Sequence, residues 1–137
     1  MLILFVMALA AAAPPPAKAD PCKGSTTPDV NACLSLSLDR SKARLRKYTE
    51  AALQRYGEDS GSSVRLGIQA AQDAFEAYRS IECAAVYENW KDGTIRGAMS
   101  LSCETRLTDA RTHDIWQDWL QYMDSTPPIL PEPTLTT

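Results

Sequence analysis

Four cysteines, Cys22, Cys33, Cys83 and Cys103, constrain this chain more than any other feature of its 137 residues. Gaps of ten, forty-nine and nineteen residues separate them, with none of the close pairs from which zinc sites are built. What precedes them sets their chemistry. Residues 2–13 form one apolar run, followed by Pro14-Pro15-Pro16 and then Ala17-Lys18-Ala19, a small-x-small ending. That order is an export signal, so residues 1–19 read as a signal peptide cut after Ala19. The run falls well short of the roughly 20 apolar residues that cross a bilayer. Cys22 follows Ala19-Asp20-Pro21 and does not close the apolar run, which argues against lipidation. Thiols sent to an oxidising compartment pair with one another. Two disulfides are therefore expected, with no metal and no cofactor, in an exported protein without membrane insertion.

The length suits a single domain with one core. Apolar residues make up 45% and charged residues 23%, too much of the first for a disordered chain. A net charge of −3 excludes the electrostatic footprint of a nucleic-acid binder. Removing residues 1–19 takes away Lys18 and no acid, leaving 13 bases against 17 acids, or −4. One histidine leaves almost no material for histidine-based acid–base or metal chemistry.

Apolar spacing supplies the fold class. Thr27-Pro28-Asp29 has the residue types of a helix start, with Thr27 as the cap. Leu34, Leu38, Leu45, Tyr48, Ala52 and Tyr56 then recur at intervals of three or four until Gly57. Residues 57–63 are a loop by composition. Val64, Ile68, Ala71, Phe75, Tyr78 and Val86 mark the expected buried face of a second helix. Ala70, Ala74 and Ala77 form a flatter flank, open to close approach by another helix. Residues 90–99, with Gly93 and Gly97, read as a second loop, and a third helix is expected from Ser100 to Met123. Residues 124–137 hold four prolines and should form a disordered, extended tail. No stretch alternates as a strand does. The expected architecture is all-α: an antiparallel three-helix bundle spanning residues 20–123, its four cysteines near one end. Three connectivities are open. Cys22–Cys83 with Cys33–Cys103 is favoured, because the leader would then cross helix 2 while helices 1 and 3 are stapled.

The run Ala71-Gln72-Asp73-Ala74-Phe75-Glu76-Ala77-Tyr78-Arg79, with Cys83 four residues on, resembles the central-helix signature of the LprI-type lysozyme-inhibitor family. Cys22 and Cys33 lie where that family keeps its first pair, and Leu45-x-x-Tyr48 is similar to its first-helix pattern. Cys103 followed by Leu107-Thr108-x-x-Arg111 resembles its ending, although Phe75 stands where tryptophan is usual. The similarity covers residues 20–123. It implies a proteinaceous inhibitor, not an enzyme, whose partner is a c-type lysozyme or an endogenous muramidase.

Each candidate residue also has a plain structural reading. Gln72, Tyr78, Arg79, Thr108 and Arg111 are expected to be family-motif scaffold, with Arg79 paired to a neighbouring helix and Tyr78 packed. His113, between Asp109 and Asp114, reads as a solvated surface histidine. The aromatic end of helix 3, with Trp116, Trp119 and Tyr122, is either covered by the tail or open to a partner. The latter suits a non-inhibitory envelope adaptor. Two loops offer donors for the paired carboxylates of a glycosidase cleft. One carries Ser60 and Ser62. The other, preferred, carries Trp90, Lys91 and Arg96, because cations suit carboxylates and a tryptophan can lie where a sugar would. No apposed carboxylate pair of the chain's own is visible, which argues against a hydrolase. A monomer is expected.

Overall fold

A computed structural model describes residues 20–57 and 62–134. The proposed signal peptide, Ser60 and the side chain of Ser62 lie outside the described residues. A 3-10 turn (Pro21–Lys23) leads into α1 (Thr27–Arg55), followed by α2 (Ser62–Asn89) and α3 (Arg96–Ile115), which widens into a π-turn at Trp116–Leu120. No strand occurs among the described residues.

The start of α1 lies one residue earlier than its composition suggests. Thr26, not Thr27, is the cap. Its hydroxyl accepts from the Asp29 amide at 3.3 Å, and the Asp29 carboxylate accepts from the Thr26 amide at 3.2 Å. This reciprocal box satisfies two amides that a helix start leaves open. Gly24 is needed beside it, since a Cβ there would sit 2.3 Å from the Asp29 carboxylate.

α3 begins four residues earlier than expected, at Arg96, because Gly97 does not break it. The glycine instead lets α3 cross α1 closely: a Cβ at Gly97 would stand 2.9 Å from Asn31 Nδ2. At the far end, the Arg55 guanidinium donates to the carbonyls of Trp119 at 2.7 Å and Gln121 at 2.8 Å. A cation on these final carbonyls closes the helix before Met123.

Cross-contacts give the helix directions. Ser100 bonds the Cys83 carbonyl, Arg79 bonds Thr108 and Arg111 bonds Gln72, so α2 descends as α3 climbs. Asn31 meets Gly97, Arg44 meets Asp109 and Arg55 meets Trp119, so α1 and α3 climb together. α3 lies between the other two, which barely touch. Leu45, Tyr48 and Ala52 of α1 close over Ile115 and Leu120, with Ile68 from α2.

The disulfides pair as Cys22–Cys33 and Cys83–Cys103, not in the crossed pattern favoured from sequence. Each bridge is local. Asp20 accepts the Cys22 amide at 3.0 Å and the 3-10 turn folds the leader back along α1, not across α2. Cys83 and Cys103 already face each other across the α2–α3 hairpin, their Cα atoms 5.7 Å apart. Both bridges lie toward the pole where α1 and α3 begin and α2 ends.

Two further expectations are corrected. Ala71 and Tyr78 do not face the core, since the seam of α2 runs through Ile68, Gln72, Phe75, Arg79, Cys83 and Val86. Nor are residues 124–134 a disordered tail. They return over the end of the bundle, where Leu130 packs on the core and Pro133 is buried. Tyr48 donates to the Pro131 carbonyl at 2.7 Å and Trp116 Nε1 to the Leu130 carbonyl at 3.0 Å.

Candidate functional site

The loop between α2 and α3 stands at the disulfide pole. Its base is fixed by Cys83 and Cys103, both buried, and its tip by tight backbone turns. The Gly93 amide bonds the Trp90 carbonyl at 2.9 Å, and the Trp90 amide bonds the Val86 and Tyr87 carbonyls. Arg96 ties the loop together from its far side. Its Nε donates to the Tyr87 hydroxyl at 2.9 Å, its Nη1 donates to the Lys91 carbonyl at 2.8 Å, and its guanidinium lies 5.7 Å from the Tyr87 ring. Trp90, Lys91, Asp92, Thr94 and Ile95 are left exposed. The loop thus presents one indole, one aliphatic side chain, one hydroxyl, one ammonium group and one carboxylate from a clipped backbone. Trp90 and Lys91 are available as contact groups, whereas Arg96 is already occupied in holding the loop.

The scaffold candidates converge elsewhere, in a groove between α1 and α2 whose floor is α3. Arg79, 8% exposed, donates to Thr108 Oγ1 at 3.0 Å and pairs with Glu76 of its own helix. Glu104 of α3 lies 3.8 Å from Arg79 and 3.4 Å from Lys42 of α1, joining all three helices. Gln72 spans Glu76 at 3.2 Å and Arg111 at 3.4 Å, and Arg79 and Arg111 both lie over the Phe75 ring. Above this network is a cavity of about 360 Å³. Thr49 on its wall has a buried hydroxyl with no hydrogen-bond partner among the described residues.

Tyr78 takes no part, being 52% exposed on the opposite side of α2. Lys42 and Glu104 carried no signal in the sequence, whereas Glu76, inside the family-like run and three residues before Arg79, had one in its spacing.

His113 is not a free surface group: its Nε2 lies 3.2 Å from Glu132 of the returning tail and its ring 5.5 Å from that of Trp116. The aromatic end of the bundle is covered. Trp116 is bonded to the tail, and Trp119 meets Tyr56 edge-on at 5.8 Å. Tyr122 remains partly open, over Arg55 at 4.3 Å. Among the described residues no cluster of acids, histidines or cysteines is suited to a metal, and no helix is long and apolar enough to cross a membrane.

Fold and site together define a disulfide-clamped helical domain equipped to make contacts. A family model described as "Lysozyme inhibitor LprI" matches residues 19–115, most of the chain, which therefore belongs to the LprI lysozyme-inhibitor family, an extracytoplasmic one. No curated protein and no solved structure matches it.

Proposed function

We propose that this protein is a periplasmic inhibitor of peptidoglycan-cleaving muramidases, exported through residues 1–19, that obstructs the glycosidase cleft with its α2–α3 loop. The observation that carries this reading is the clipped loop itself. A segment already ordered in the free protein loses little entropy on binding. Lys91 supplies a donor of the right sign for the two carboxylates of a glycosidase. Trp90 supplies a flat apolar surface beside it, as interface anchors do. Arg96 acts one step back, by setting the position of Lys91. The adaptor reading required an open aromatic patch at the end of α3, where Trp116 is bonded to the returning tail and Trp119 packs on Tyr56 of α1.

Turbidimetric lysis of bacterial walls tests the proposal, run with a c-type lysozyme and separately with an endogenous muramidase. Added protein should slow at least one of them. Lys91→Ala and Trp90→Ala should each weaken inhibition about tenfold or more, the loss of one charged or aromatic anchor. Unchanged inhibition in both variants would remove the loop from the mechanism, and no inhibition of either enzyme would remove the function.

A further inference from the structure

α2 is apolar on two sides, and only one of them meets α3. On the other, Leu66 is 64% exposed, Ile81 72% and Tyr78 52%, with Ala70, Ala74 and Ala77 between them, all exposed. At 100° per residue these six fall within an arc of about 120°, as wide as the stripe that a helix buries in a core. Nothing among the described residues covers them, since α1 barely touches α2 and the tail lies over α1 and α3. An apolar stripe of that width on a helix is normally a covered one.

We infer that this face is the contact surface between two copies of the chain, packed α2 against α2 in antiparallel sense about a two-fold axis level with Phe75 and Glu76. The spacing of large and small residues is self-complementary there. With the two helices reversed, Ala74 lies level with Ala77 of the other copy and Ile81 level with Ala70. Leu66 then falls level with Ala84 and Ala85. Leu66 and Ile81 each meet an alanine, which permits close approach, while Tyr78 at the edge of the face falls level with Asp73. At the two ends Ser63 falls level with Glu88, a hydroxyl donor beside a carboxylate.

The absence of charge favours a second copy over a basic enzyme as the occupant. Between Leu66 and Ala85 the face carries no charged side chain, so it offers a basic partner no carboxylate to pair with. Asp73 and Glu82 lie on opposite edges, and the register sets neither level with its own copy.

The strip from Ser63 to Glu88 is about 38 Å long at 1.5 Å per residue. With a width of about 15 Å it would bury on the order of 1,200 Å² over both copies, the lower limit of specific interfaces. The dimer is therefore concentration-dependent.

Sedimentation velocity on the oxidised full chain, from a few to several hundred micromolar, tests the inference. The wild type should shift from monomer toward dimer. Ile81→Asp, at a site that contributes nothing to the core, should remain monomeric with an unchanged helical circular dichroism spectrum. An Ala74→Cys, Ala77→Cys double variant should cross-link into a covalent dimer under mild oxidation, and Leu36→Cys on exposed α1 should not. A wild type that stays monomeric throughout overturns the inference, as does a dimer that survives Ile81→Asp. If the double variant fails to cross-link, the antiparallel register falls. Loss of muramidase inhibition in Ile81→Asp from a monomeric wild type would give the face to the enzyme instead. Because lysis and sedimentation are read separately, this inference and the inhibitory reading fail independently.

Discussion

Tyr48 shows how one side chain of α1 holds the end of the chain. Its ring is buried in the core and its hydroxyl reaches the Pro131 carbonyl, 83 positions later. Burial holds the hydroxyl above the ordinary tyrosine value of 10.0, while the nearby Arg44 charge pulls it partly back. The sign of the consequence follows. Above about pH 10 the unfolded chain releases this proton and the folded chain keeps it, so stability falls as pH rises toward the folded value. Tyr48→Phe keeps the ring, loses the hydrogen bond and should cost about 1 kcal/mol near neutral pH. The gap between wild type and variant should narrow above pH 10, a trend readable from paired urea titrations at pH 8 and pH 11. A gap independent of pH would show that the hydroxyl titrates freely in the folded protein. Arg79 shows the same economy of polar contact: one guanidinium serves Thr108, Glu76 and Glu104 in a seam that apolar spacing alone would have left to hydrocarbons.

At the scale of helices and bridges, α1 was legible because it buries one continuous stripe, whereas α3, packed between the other two, buries Thr108, Asp109 and Thr112 as well as Ile115 and carries no such apolar signal. α2 was legible as a helix, with Val64, Ile68, Phe75 and Val86 on its buried face, but Ala71 and Tyr78 do not belong there. Ala70, Ala74 and Ile81 on the other side are also apolar at helical spacing, and periodicity does not draw the edge between two such stripes. The disulfide pairing was hidden for a different reason. Spacing shows that four thiols gather at one pole, but not that Pro21–Lys23 turns the leader back onto α1. Docking of residues 124–134 was hidden too, because proline content identifies an extended chain and not what it lies on. The corrected pairing gives the two bridges separate tasks. By loop entropy each is worth about 3 kcal/mol. Cys83→Ser with Cys103→Ser frees the base of the loop, so thermal stability and muramidase inhibition should fall together. Cys22→Ser with Cys33→Ser frees only the peripheral leader. Stability should fall there, while inhibition at 25 °C stays within about twofold, since Arg96 still clips the loop. Equal loss of inhibition in both double variants would mean that the leader itself touches the target.

Over the whole molecule the charge is divided unevenly. α1 carries Arg40, Lys42, Arg44, Arg46, Lys47 and Arg55 against three acids, whereas α2 carries Asp73, Glu76, Glu82 and Glu88 against two bases. The loop with Trp90 and Lys91 extends from the acidic helix. If the target is a strongly basic glycosidase, as proposed, it would be drawn toward the side from which the loop projects, before any short-range contact forms. Steering of this kind raises the association rate and leaves dissociation to the packed contacts. The Debye length shortens from about 20 Å at 20 mM salt to about 6 Å at 300 mM, shorter than the distance over which the two fields must act. The association rate constant with a basic lysozyme should thus fall about tenfold or more over that range, with the dissociation rate nearly unchanged. Stopped-flow fluorescence of Trp90, compared with Trp90→Phe to identify its signal, measures both rates. An association rate indifferent to salt would mean that the loop finds its cleft without help from the acidic helix behind it. Inhibition would then rest on the fit of Trp90 and Lys91 alone.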